Sequence, residues 1–227
     1  MTQAIEVPWN PTYRLIPSRF PPISLFERVA SAEDFDAVYA LQSLTNPRLR
    51  DEVGQIHLVA KEDRVFGEGS SPVMAAMCHI NPEGSRFAEP TFGVYYAASS
   101  LEAAVAEVSY HRAAFMAATN QPAVDLDMRC YVTDVVAPLV DLRDQPEMHL
   151  PNSYAQSQAV ARKLRDQGAN GVLYRSVRSA GAECVAIFKP KALRVPVTQG
   201  AHVTLCWDGT SIHRWYKKSD VQDVPTA

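Results

Sequence analysis

Four short runs carry side chains of the kind that do chemistry. Asp63-Arg64-Val65-Phe66 and Gly84-Ser85-Arg86-Phe87 each present one arginine, the residue type that grips carboxylates and phosphates through paired hydrogen bonds. Tyr96 closes an apolar run and is followed eleven residues later by Glu107. Tyr174-Arg175-Ser176-Val177-Arg178 sets a hydroxyl between two cations. Taken singly, each has an ordinary structural use. Arg64 suits a surface position, Arg86 follows a Pro-Glu-Gly-Ser turn, Tyr96 suits a core, and Ser176 suits a loop. Glu107 is more informative. With 100° per residue counted from Leu101, the apolar residues of its segment fall within about 60° of Leu101 and Glu107 falls near 240°. That position suits a solvated glutamate as well as one lining a cleft.

The elements that must position these residues follow from local signals. Five prolines in the first 22 residues predict an extended arm laid over the body. Ser31, with Glu33 and Asp34, predicts a helix start, and Phe35, Val38, Tyr39 and Leu41 supply its apolar face. Asn46-Pro47 ends that helix, a further helical turn is expected from Pro47 to Glu52, and Ile56 to Val59 reads as a strand. Phe92 to Ala97 reads as a buried strand. Ser99-Ser-Leu-Glu102 reads as a capping box opening a helix that runs to about Ala118, with Leu101, Ala104, Val105 and Val108 inward. Ser153 with Gln156 predicts the start of another helix, with Ala159, Val160 and Leu164 inward and Gly168 just past its end. Val172–Tyr174 and Cys184–Phe188 read as strands. Asp208-Gly209 divides Val203–Trp207 from Ile212–Tyr216 as a hairpin. Strands and helices mix without regular alternation, so the expected class is α+β.

Composition narrows the function. The chain has 227 residues, 47% hydrophobic and 21% charged, enough to bury a core without disulfides or metal. No stretch of eighteen apolar residues is present, and Met1 to Pro11 lacks the pattern of a signal peptide, so a cytoplasmic protein without a membrane partner is expected. A balance of 22 basic to 25 acidic residues, net −3, argues against nucleic acid as a partner. Cys78, Cys130, Cys184 and Cys206 are at least 22 residues apart, which suits buried reduced thiols and no metal site. Phosphate-loop, dinucleotide-fingerprint, G-x-S-x-G and H-E-x-x-H motifs are absent.

The order and spacing of the four runs resemble the RES domain, a family named for its Arg, Glu and Ser. The family's pattern sets an Arg near its start, then a Gly-Gly-Arg-like turn, an aliphatic-Tyr-aliphatic-Ala strand, a helix carrying the Glu, and a Tyr-x-Ser-hydrophobic-Arg strand end. Here the matching residues are Arg64, Arg86, Tyr96, Glu107 and Ser176, with Arg175 inside the last run. The run Gly168-Ala-Asn-Gly-Val-Leu-Tyr-Arg-Ser-Val-Arg178 and the run Glu183-Cys-Val-Ala-Ile-Phe-Lys-Pro190 are similar throughout. The likeness covers about residues 60 to 195. Gly84-Ser85-Arg86 departs from the family's double glycine. The arm Arg14–Pro22 resembles an extension of one branch of the family. The division implied is an N-terminal extension over 1–59 and a RES domain with a C-terminal hairpin over 60–227.

The resemblance implies an ADP-ribosyltransferase-like core of split mixed β-sheets with flanking helices. It implies the toxin of a bacterial toxin–antitoxin pair, inhibiting growth, partnered by an Xre-like antitoxin. It implies NAD as co-substrate, with no tightly bound cofactor and no metal. Arg64, Arg86, Tyr96 and Arg175 would bind NAD, and Glu107 and Ser176 would be catalytic. ADP-ribose would pass to a protein acceptor such as phosphoribosyl pyrophosphate synthetase. The same residues also fit an NAD glycohydrolase or phosphorylase, and a binding module without chemistry stays open.

Overall fold

A computed structural model describes residues 3–21, 23–44 and 49–219. The arm is extended, as its prolines require, but it runs within the sheet. Its first strand, β1 (Ala4–Ile5), is an edge strand, and β2 (Thr12–Pro17) lies in the middle. Helices α1 (Ser24–Arg28), α2 (Ala32–Ser43), α3 (Leu49–Val53) and α4 (Ser71–Cys78) follow. Then come β3 (Tyr95–Ala98), α5 (Leu101–Ala118), β4 (Val124–Thr133), β5 (Leu139–Asp141), α6 (Ala155–Asp166), β6 (Gly171–Arg175), β7 (Glu183–Ile187), β8 (Thr198–Trp207) and β9 (Ile212–Lys217).

The sheet order is β1-β5-β6-β7-β3-β2-β4-β8-β9. β5 and β6 run parallel and the other neighbours antiparallel, so the sheet is mixed. It is also split. β2 pairs with β4 over six positions but meets β3 at one, Tyr13 opposite Ala98. An α+β fold of split mixed sheet with flanking helices is therefore what the chain forms.

Strand alternation sends side chains to two cores. Val172, Tyr174, Cys184 and Ala186 face one core, shared with Leu101, Ala104 and Val105 of α5 and Ala161 of α6. Leu173, Val185 and Ile187 face the other, shared with α1 to α4. Cys78, Cys130 and Cys184 are buried and Cys206 is half-buried; all four are free thiols. No helix among the described residues is long and apolar enough to cross a membrane.

Several local expectations shift. Ser31 caps α2, accepting from the Asp34 amide at 3.1 Å, but Leu41 stands in solvent. The expected end at Asn46-Pro47 lies outside the described residues. Ile56–Leu58 forms a 3-10 turn in place of a strand, because the Arg64 guanidinium gathers the Ile56 and Val59 carbonyls. Ser100, one residue later than read, caps α5, accepting from the Ala103 amide at 3.1 Å. α6 starts after Tyr154 with no side-chain cap, so Ser153 does not cap it, and Ala159 is exposed. Gly168 ends α6 as expected, at φ +82°. The Asp208-Gly209 hairpin joins β8 to β9.

Candidate active site

α5 carries Glu107 from its capped start to the loop that follows β6. There the Glu107 Oε1 accepts from the Ser176 hydroxyl at 2.6 Å, the Val177 amide at 3.0 Å and the Arg178 amide at 3.3 Å. Ser176 Oγ in turn accepts from the Arg178 and Ser179 amides at 3.2 and 2.9 Å. The loop is thus a small nest of N–H groups closed on a half-buried carboxylate. Oε2 takes none of these bonds among the described residues. The hydroxyl and the amides fix the carboxylate's rotation, and the free oxygen is the one able to face a ligand.

Two further residues reach the same side of the sheet. Tyr96 is packed against the core that α5 covers, and its hydroxyl bonds Ser85 Oγ at 2.7 Å and accepts from the Phe87 amide at 2.9 Å. Burial pushes its pKa up to about 12, so it is a neutral hydrogen-bonding group. Ser85 follows Gly84, whose φ of +71° and close approach to the Ala88 carbonyl leave no room for a side chain. Ser85 is not so constrained, and it uses its hydroxyl on Tyr96. Arg86 is buried. It donates to the Met148 and Leu150 carbonyls at 3.2 and 2.8 Å and stacks over Tyr154 at 4.8 Å. Burial raises the Tyr174 pKa, as do Cys184, Glu107 and Tyr96, while Arg86 opposes them, so these groups converge around one phenol.

The structure does not bring Arg64 or Arg175 to this cluster. Arg64 is buried in the α1–α4 layer on the other face, on the Val59 and Ile56 carbonyls and Asp36. Its charge organises chain rather than ligand. Arg175 is one residue past Tyr174 and therefore points the opposite way. It is exposed, bonding the Arg143 carbonyl and Asp144, both at 2.9 Å.

Arg14 was not read as a site residue, and the fold supplies it. Where β2 and β3 part beyond their single contact, a cavity of about 1150 Å³ opens, lined among others by Arg14, Phe20, Ser85, Tyr96, Arg112 and Tyr131. Arg14 lies over the Tyr95 ring at 4.7 Å and donates to the Tyr96 carbonyl at 3.0 Å, and its buried Nε has no partner. No carboxylate of the described residues pairs with Arg14 or Arg86. The Arg14 Nε is thus a buried donor left for an acceptor from outside the chain, whereas Arg86 spends its bonds on two carbonyls. The cavity meets the Glu107 side at Tyr96 and Ser85; Glu107 and Ser176 are not in its wall. Among the described residues no group of three His, Cys, Asp or Glu is placed to hold a metal ion.

Residues 61–208 match the model of the RES domain. The chain belongs to the RES-domain family. It is 31% identical over 209 residues to the uncharacterized protein y4oC of Sinorhizobium fredii, covering 92% of this chain and 87% of that one. A chain in the crystal structure of the M. tuberculosis MbcT–MbcA toxin–antitoxin complex has 15% identity and a TM-score of 0.47, covering 89% of this chain and 86% of that one. The matched RES segment holds Arg86, Tyr96, Glu107 and Ser176. Arg14 lies upstream of it, on a strand that completes the sheet around the RES domain.

Proposed function

We propose that this chain is the toxin of a bacterial toxin–antitoxin pair, and that it cleaves the nicotinamide–ribose bond of NAD and transfers ADP-ribose to a protein acceptor. The observation that carries the reading is the Glu107 carboxylate, with one oxygen fixed by three donors and the other free. Membership in the RES family and the unopposed cations Arg14 and Arg86 support it.

The chemistry needs little more. The C–N bond breaks and its electron pair stays on the pyridine nitrogen, so nicotinamide leaves neutral with no proton to take up. Positive charge builds on the anomeric carbon, where a Glu107 carboxylate offsets it. Ser176 and the two loop amides hold that carboxylate in place, which avoids reorganisation as the charge develops. Arg86 and Arg14 bind the pyrophosphate, and Tyr96 orients the ribose or the nicotinamide. The acceptor's nucleophile then bonds the anomeric carbon and passes its proton to the free Glu107 oxygen, which returns it to water.

A silent toxin needs a partner. The antitoxin in this reading covers the cleft with a segment bearing a carboxylate, which competes with pyrophosphate for the same arginines. Incubation with labelled NAD, with and without cell extract, tests the reading. A labelled protein band seen with extract supports transfer. Nicotinamide released equally in both samples redirects the reading to hydrolysis or phosphorolysis. No nicotinamide in either sample leaves a binding module.

A further inference from the structure

Glu183 has a place that the site chemistry does not use. As the first residue of β7 it pairs with Arg175, one residue before Ser176. Its backbone carbonyl accepts from the Ser99 amide at 2.9 Å, and Ser99 immediately precedes the cap of α5. It therefore touches the supports of both halves of the Glu107–Ser176 contact. Its half-buried carboxylate is itself held from two sides. Trp9 Nε1 donates to Oε2 at 2.6 Å, and Arg143 donates to Oε1 at 2.8 Å. Arg143 is locked by a two-point pair with Asp141 on β5 at 2.7 and 2.9 Å. Trp9 belongs to a segment tied down at both ends. β1 pairs with β5 through Ala4 and Ile5, and the Asn10 side chain accepts from the Val135 amide at 3.0 Å.

The geometry points to residues 3–10 as a strap that sets the Glu107 carboxylate against the 176–179 loop, with Trp9, Glu183 and Arg143 as positioning residues for bond cleavage. This inference rests on the catalytic role proposed for Glu107. The strap acts at a distance: it fixes the strand end that carries the nest, and a small misplacement of a preorganised donor costs rate more than binding.

Trp9→Phe keeps a ring and removes the donor, and Glu183→Gln keeps an acceptor and removes the charge. Three readings are taken on the full chain: nicotinamide release against NAD concentration, melting temperature, and hydrogen exchange at the Val177 and Arg178 amides. The strap requires kcat to fall roughly tenfold in Trp9→Phe with KM little changed, and exchange protection at both amides to fall by a similar factor. Glu183→Gln moves both in the same direction. A lower melting temperature with kcat and both amides as in wild type makes Trp9 merely structural and overturns the inference, as does no change at all. If the wild-type chain releases no nicotinamide, the proposed function is what fails. The amide protection then decides the strap alone.

Discussion

A single hydroxyl and two amides on one carboxylate oxygen make Glu107 the residue with the clearest division between holding and acting. Glu107→Gln leaves an oxygen for those donors and removes the charge. The expected stability loss is about 1 kcal/mol, the scale of one weakened hydrogen bond. NAD cleavage should fall roughly 10²–10³-fold. Arg14→Gln should raise KM with kcat nearly kept, because a phosphate contact is made in the ground state and the transition state alike. Melting curves and nicotinamide-release kinetics on the two variants check the contrast. Near-wild-type turnover in a folded Glu107→Gln protein removes that residue from the mechanism. Glu107 and Ser176 were legible because their neighbours fix their direction: a capped helix with one apolar stripe, and a strand end after a glycine turn. Arg64, Arg175 and Arg14 were not. A guanidinium reaches far from its Cα, so sequence position says little about which carbonyl or ligand it meets. Arg64 went to the α1–α4 layer, and Arg14 looked like part of a proline-rich arm.

At the scale of elements, local signals named α2, α3, α5, α6 and the hairpin, but not α1 or α4, a helix buried along nearly its whole length; long-range contacts decided the rest. Ser99 and Ser100 are equivalent caps in sequence. Ser99 is committed to Glu183, so Ser100 takes the cap. Ile56–Leu58 alternates like a strand and is turned by an arginine six to eight residues on. The 3-10 turn Pro146–His149 shows a further contact of this kind. His149 Nδ1 donates to the Gln145 carbonyl at 2.9 Å, and Nε2 accepts from the Arg175 amide at 3.0 Å. Both roles require the neutral ring, and burial holds its pKa below the ordinary histidine value, with Arg86 and Arg175 adding to the effect. The folded state therefore disfavours the proton that the unfolded chain accepts near pH 6.5. This contribution is complete above about pH 6.5 and is lost as pH falls below it. Melting temperatures from pH 7.5 to about 5 should converge for wild type and His149→Gln on the acid side. Parallel curves would show that His149 does not couple to the fold.

For the whole molecule, the division at residue 59 implied by the family resemblance crosses one sheet. β2 lies between β3 and β4, and its six-position ladder with β4 covers backbone groups that would otherwise stand open. A fragment starting at residue 60 should thus lose cooperative melting and aggregate, where the full chain melts in one transition; a soluble fragment with an intact transition would contradict this. The split mixed sheet followed from the family resemblance, but the arm's place inside it did not, because prolines report extension and not the neighbour that the extended chain will pair with.

The distribution of thiols gives the molecule a reagent-accessible clock for its own unfolding. Burial holds the Cys78 thiol up at about 12 and Cys130 at about 11, and it raises Cys184 as well. These three are neither reachable nor ionised in the native state. Cys206, half-buried on β8, is the one a colourless disulfide reagent can find, slowly, since burial and Asp125 raise its pKa too. The native chain should release one equivalent of coloured thiolate and the denatured chain four. The interval between them then measures how often the core opens, with no dye or tag attached.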